Sequence, residues 1–439
     1  MSNSRQRYWS AGAWLLVTAS PTLFADNLEE IYRLASEADA RLGAAEFQYE
    51  AALQGKPQAR AGILPQISAQ AGFDIKDLDY SSANPVFRDD AFNRKTYGVQ
   101  LDQSLYNRVT SVQIEQADIQ LAKAEANIQA ARQELIVRIT ETYFNVLSAN
   151  DTLAFARAEK EAVSRQLEQT RQRFEVGMIA ITDVRESEAA FDLAVAQEID
   201  AINQVDIAKE SLRQIIGRNP PELNTLRTDF ELEKPAPADI EQWVEAAMQN
   251  SLALRAAGFD AKLAQQEVER RRASKYPTLG LSASHGVQDD EGGFSEGKVT
   301  DTTIGVGVNL PLYTGGLTSS RIAEAQSLLA AAEKNLELQK RDTIQQARAA
   351  YLNVKASISL TQALKQALES TRTAAEATRA GFEVGTRTSV EVLGAERDQY
   401  RAQSEYARAR YNVIINTFRL KQAAGTLSEA DILLINKWL

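Results

Sequence analysis

Twice this chain runs on without a helix breaker, and the same word stands at the end of each run. No glycine or proline lies between Gly98 and Gly177, or between Gly316 and Gly381, and FEVG follows at 174–177 and 382–385. Inside the first run Ile114, Leu121, Ile128 and Leu135 fall seven residues apart, with Ala117, Ala124 and Ala131 beside them. Ile322, Leu329 and Leu336, with Ala325 and Ala332, repeat the pattern in the second. A seven-residue apolar period flanked by small side chains marks closely packed coiled-coil helices. At 1.5 Å per residue, about 65 residues reach roughly 100 Å, far beyond an ordinary globular helix.

The two runs belong to a duplication. The two FEVG words lie 208 residues apart, and so do Tyr143-Phe144-Asn145-Val146 and Tyr351-Leu352-Asn353-Val354. Leu212-Arg213-Gln214-Ile215-Ile216-Gly217 answers Leu420-Lys421-Gln422-Ala423-Ala424-Gly425 at the same spacing. Upstream, Leu64-Pro65 answers Tyr276-Pro277 at 212 and Leu105-Tyr106 answers Leu312-Tyr313 at 207, so the copies differ by one loop. One repeat of this length is a two-fold structural duplication, not a short-period solenoid. We expect a first repeat over 26–238 and a second over 239–439. Each has a helix (28–60, 239–274), two strands, a long helix and a helix of half that length (183–216, 389–424). The proline-bearing segment 217–238 and the C-terminal GTLSEADILLINKWL are expected at mid-height, outside the helices.

Residues 1–25 read as a secretory signal: Arg5 and Arg7, the apolar run AGAWLLVTA, then Leu23-Phe24-Ala25 before Asp26. The apolar run is too short to span a bilayer, and no later segment approaches twenty apolar residues. The chain has no cysteine and one histidine, His285. That argues against disulfides, Cys/His metal sites, a Ser-His-Asp hydrolase and an acylated lipoprotein anchor. A net charge of −10 argues against nucleic acid as the main partner. The glycines of GVGVN at 305–309 alternate with valine, as in a strand rather than a phosphate cradle. No metal or cofactor is expected, and carboxylates spread over solvated helix faces do not make an enzyme.

Four segments alternate with period two. Their apolar faces carry Ile67, Ala69, Ala71 and Phe73; Tyr97, Val99, Leu101 and Leu105; Pro277, Leu279, Leu281 and Ala283; Ile304, Val306, Val308 and Leu310. The intervening residues are polar or small. About ten residues with one greasy and one wet face is the pattern of a strand crossing an outer membrane around an aqueous lumen. Polar loops are expected at 74–96 and 285–303. Four strands cannot close a barrel, and lipid tolerates no open sheet edge, so several chains must share one. Tyr106, Tyr276 and Tyr313 stand where an aromatic girdle would lie.

These features meet in longer stretches: TETYFNVLSAN (140–150), KEAVSRQLEQTRQRFEVGMIAITDV (160–184), LPLYTGG (310–316), VGTRTSVEVL (384–393) and ARYNVIIN (409–416). With the duplicated strand–strand–long-helix order, they resemble the TolC family of outer-membrane channel-tunnels over the whole mature chain. The resemblance implies a mainly α fold with a small membrane β-barrel contribution. Three chains make a twelve-stranded barrel continued by a periplasmic α-helical tunnel. It implies an exit duct for drugs and type I-secreted proteins, docked through a periplasmic adaptor to an inner-membrane pump of the RND, ABC or MFS type. A periplasmic adaptor protein is the alternative, because adaptors also carry a long helical hairpin.

The resemblance also assigns the two turns. Gly177 and Gly385 end helices in the left-handed conformation at hairpin tips forming the periplasmic entrance. Residues matching Thr182, Asp183, Phe382 and Arg387 form the links that hold the entrance closed. Residues matching Glu391 and Gly394 line its constriction. Two departures stand out: the gate tyrosine is Phe382 here, and the inner of two constriction aspartates is Gly394. From spacing alone, Asp183 with Glu186 and Thr388 with Glu391 also fit capping boxes.

Overall fold

The structure is a computed structural model that describes residues 27–79, 90–227, 229–230, 234–293 and 296–439. The signal expected at 1–25 lies outside the described residues. The chain is mostly helical. Two helices dominate, α4 over Arg108–Glu175 (68 residues) and α8 over Leu317–Glu383 (67 residues). Each spans roughly 100 Å by its rise. Asn107 starts α4 by accepting from the backbone N–H groups of Val109 and Thr110 at 3.0 and 3.4 Å.

Each long helix folds back into a shorter partner, α5 over Ile181–Ile216 and α9 over Ser389–Ala423. Ala117, Ile128 and Leu135 of the expected seam are buried. The helices expected as single rods over 28–60 and 239–274 are instead broken. The first comprises α1 (Leu28–Ala38), α2 (Ala40–Leu53) and α3 (Gly55–Ala61); the second comprises α6 (Ile240–Asn250) and α7 (Leu252–Ala273). Capping competes with helix continuity at two of these breaks. Asp39 leaves the helical conformation and accepts from Leu42 N–H at 2.8 Å, and Ser251 does the same for Leu254 at 3.3 Å. Away from the tips, α2, α3 and α7 pack along α4, so shorter helices laid end to end match the long one.

The four strands form one antiparallel sheet in the order β1 (Gln66–Leu78), β2 (Asp90–Tyr106), β3 (Thr278–Glu291), β4 (Gly297–Asn309). Directly opposed residues share a face, so the register tests the alternation read from the sequence. One row runs Ile67, Leu101, Ala283, Ile304, and the row beyond it runs Ala69, Val99, His285, Thr302. The opposite face carries Ser68, Gln100, Ser284, Thr303. A bulge between Ser104 and Tyr106 brings Tyr106 opposite Leu279 on the apolar face.

The strands are longer than expected. Much of the regions read as polar loops, 74–96 and 285–303, is strand, apart from 80–89 and 294–295, which lie outside the described residues. Cross-strand ion pairs replace apolar contact there. Arg94 holds Asp290 through two bonds at 2.8 and 2.9 Å, and Lys95 holds Glu291.

The main core sits at mid-height. Leu135, Ile139, Tyr143, Phe144 and Leu147 of α4 pack with Leu28 and Ile31 of α1, Leu212 of α5, and Tyr411, Ile414 and Phe418 of α9. Segment 217–227 and the final helix α10 (Glu429–Asn436) close over this core. Tyr143 donates its hydroxyl to Asn224 O at 2.8 Å, Arg227 N–H bonds Trp438 O at 2.9 Å, and Ile432 is buried in the cluster. Tyr411 donates to Asp151 at 2.6 Å and its ring stacks on Phe144, joining α4 of one hairpin to α9 of the other. Burial pushes the Asp151 carboxyl up, against the opposing pull of that phenol.

Candidate functional site at the hairpin tips

The hairpin tips lie at the far end from the sheet. At the first, the Met178 N–H bonds Arg173 O and the Gly177 N–H bonds Phe174 O, both at 2.9 Å. At the second, the Thr386 N–H bonds Gly381 O at 2.8 Å and the Gly385 N–H bonds Phe382 O at 3.1 Å. This paired pattern is a helix stop built on a left-handed residue, and Gly177 (φ 76°) and Gly385 (φ 80°) supply it. No side chain within the protomer crowds either glycine.

The residues after the turns divide. Thr388 is the N-cap of α9: the Glu391 N–H donates to its hydroxyl at 3.3 Å, and its own N–H donates to the Glu391 carboxylate at 2.8 Å. That capping box is as expected. The first tip differs. Ala180, not Asp183, is the N-cap of α5, and Asp183 sits three residues on, accepting from the Ala180 N–H at 3.2 Å. The Asp183-to-Glu186 box is therefore not formed, because the helix begins one turn earlier than that pairing needs.

Arg387 reaches Glu391 at 2.6 Å within the same chain. Backbone and side-chain donors of Thr388 and the Arg387 guanidinium together hold the Glu391 carboxyl below the usual carboxylate range. The backbone N–H contributes most. Thr182 is exposed. Gly394 lies one turn beyond Glu391 in α9, and a side chain there would point into open space. Glu391 alone thus supplies acidity on this stretch.

Phe382 is buried, and the Arg173 guanidinium of α4 lies over its ring at 4.2 Å from the centroid. One turn nearer the core, Gln166 and Thr170 of α4, Ser187 of α5 and Ser389 of α9 form a buried hydroxyl cluster with contacts of 3.2–3.5 Å. Arg379 of α8 is ion-paired with the buried Glu396 of α9. None of these partners of Phe382 or Ser389 was singled out from sequence. One signal was present: positions 173 and 381 are related by the repeat, yet one is arginine and the other glycine.

Among the described residues no helix is long and apolar enough to cross a membrane, and no group of acidic and histidine side chains could hold a metal. A family described as outer membrane efflux protein matches this chain twice, over residues 31–218 and 243–426. The chain is 37% identical over 428 residues to the outer membrane protein TolC of Vibrio cholerae serotype O1, covering 97% of this chain and 96% of that protein. It is 30% identical over 442 residues to the alkaline protease secretion protein AprF of Pseudomonas aeruginosa, covering 99% and 92%. Its fold matches the crystal structure of a membrane protein from Pseudomonas aeruginosa at a TM-score of 0.79, with 19% identity over 98% of this chain and 97% of the other.

Proposed function

Because the chain belongs to the outer membrane efflux protein family, it is an outer-membrane exit duct of the efflux and type I secretion class, and we propose that three copies build its tunnel. One observation carries the proposal. The four-stranded sheet ends in unpaired edges at β1 and β4, and one of its faces carries the apolar rows Ile67, Leu101, Ala283, Ile304 and Tyr106, Leu279, Val308. Such a sheet survives in lipid only when other copies pair its edges. The helices then continue the lumen as a tunnel into the periplasm. Channels of this family are not enzymes and, in general, are homotrimers working with adaptor and inner-membrane pump partners. For this chain we propose a periplasmic adaptor and a pump of the RND, ABC or MFS type, with drugs or unfolded proteins as cargo. The periplasmic adaptor alternative gives way to the likeness to outer-membrane channels along nearly the whole chain.

We assign the parts as follows. Residues 1–25 direct export, 26–238 and 239–439 are the two repeats, and the turns at Gly177 and Gly385 form the entrance. Thr182, Asp183, Phe382 and Arg387 hold it closed, the Arg387 guanidinium bridging to the neighbouring protomer's hydroxyl and carboxylate. Glu391 and the side-chain-free Gly394 line the constriction. The sheet faces give the test of assembly. Val306→Arg on the apolar face should cost about 2–4 kcal/mol near mid-bilayer and reduce the yield of detergent-resistant trimer. Asn309→Asp on the opposite face should leave the yield intact. Equal losses would reverse the inside–outside assignment.

A further inference from the structure

We propose that an intraprotomer cation–π clasp between Arg173 and Phe382, seated on the buried hydroxyl cluster behind it, holds the second hairpin against the first and keeps the entrance closed. This rests on the exit-duct reading and names how that gate is regulated within one chain. It is separate from the Arg387 bridge between chains.

Arg173 sits in the last turn of α4, where the helix dipole favours a cation. Among the described residues no carboxylate lies within ion-pair distance of it, so the ring is its cationic contact. Phe382 closes the other side. It stands in the last turn of α8 and is 6% exposed, whereas its repeat partner Phe174 is 39% exposed. The Arg173 side chain of the opposite hairpin covers one face of the buried ring. A phenylalanine offers no hydroxyl but keeps the negative ring face that attracts a guanidinium.

The contacts behind the clasp give it leverage. Thr170 lies one turn before Arg173, and its hydroxyl meets those of Ser187 and Ser389 in a buried cluster that also takes Gln166. Arg379, one turn before Phe382, is tied to Glu396 of α9. The last turns of α8 therefore move with α9, and both are bonded to α4. Swinging the second hairpin outward would uncover the Phe382 ring and separate Ser389 from Thr170 and Gln166 together. Hydrophobic packing alone would not need the charge at position 173.

The test uses the purified full-length trimer, with resting conductance in planar bilayers and hydrogen exchange at the tips as two readouts. Arg173→Gln and Phe382→Leu should each raise conductance and tip exchange by at least about two- to fivefold per clasp, the effect of an exposed cation–π contact being the lower bound for this buried ring. Their combination should add little to the larger single effect. Phe382→Tyr keeps the ring face and should stay at or below wild-type conductance, and Arg173→Lys should fall between. Adding Arg387→Ala to Arg173→Gln should multiply the effects, because the two contacts act independently. Unchanged exchange in both single variants, or a double variant that multiplies them, would overturn the clasp. Raised exchange with unchanged conductance would overturn its role in closure. A wild-type trimer that never conducts would count against the duct, while tip exchange would still decide the clasp.

Discussion

At the first tip the chain turns through Gly177 at φ 76°, and at the second through Gly385 at φ 80°, with the same two closing hydrogen bonds. The side chains around those matching backbones differ in kind. The first tip is the more apolar: Met178 and Ile181 are exposed where the second copy has Thr386 and Ser389, and its helix starts at an alanine that can lend no side-chain cap. The second is ionic: Arg387 pairs with Glu391, and Thr388 completes a capping box. Duplication preserved what the backbone requires and let the remaining positions diverge. Position 381 shows how. Where the first copy has Arg173, the second has Gly381, and a methyl group there would come within 2.7 Å of Arg387 Cγ. Glycine lets Arg387 fold back onto its own helix, while Arg173 is free to reach across to Phe382.

The sharpest break of this comparison would be unequal tolerance at the two turns. Valine at either glycine must adopt a left-handed conformation costing about 1–2 kcal/mol. Gly177→Val and Gly385→Val should therefore loosen their tips by similar amounts, read as faster amide exchange over 174–183 and 382–391. A tip that accepts valine at no cost would mean that its turn is not held in the observed conformation.

Caps give a smaller, opposite-signed pair. Thr388→Ala removes the hydroxyl that holds the Glu391 N–H, and should destabilise the start of α9 by about 1 kcal/mol. Ala180→Ser supplies the missing half of a box whose carboxylate, Asp183, is already in place, and should stabilise the start of α5 by about 0.5–1 kcal/mol. Local exchange at each helix start measures both. If Ala180→Ser brings no gain, the first tip is held by something other than its N-terminal hydrogen bonds.

These tips also show what could be read before the structure. The glycine turns were legible because the helix stop is local, and so were the long helices and the two faces of the sheet, because periodicity is local too. The start of α5 was misplaced because Asp183 is a good cap by type and Ala180 a poor one; only the fold decides which residue leaves the helix. The breaks at Asp39 and Ser251 were missed because capping side chains interrupt helices that otherwise keep their apolar pattern. The strand extensions bearing Arg94–Asp290 look like loops in the sequence because polar cross-strand pairs erase the alternation. Arg173 over Phe382 lay beyond any local pattern, since it joins residues from two different hairpins.

The smallest expected effect concerns charge at the proposed constriction. Gly394 adds no carboxylate, so the ionic character of the second tip rests on Glu391, whose carboxyl is held low by the Thr388 N–H, Arg387 and the Thr388 hydroxyl. A depressed carboxyl keeps its charge as pH falls through the ordinary carboxylate range and loses it only below. Its contribution to tip stability follows the same sign, present above the unfolded value and lost as pH falls through the folded one. Cation preference, measured as reversal potential across a salt gradient, should accordingly persist into mild acid and fade at lower pH. Arg387→Ala removes one of the three donors and should move that transition upward, towards an ordinary glutamate. It should also strengthen cation preference at neutral pH, because an arginine beside each glutamate offsets its field. Gly394→Asp, which points into open space, should add a second acidic ring and a further gain in selectivity. If Glu391→Gln left the reversal potential unchanged at every pH, Glu391 would be a helix cap alone, and the two tips would differ in how they start a helix rather than in what they do to ions.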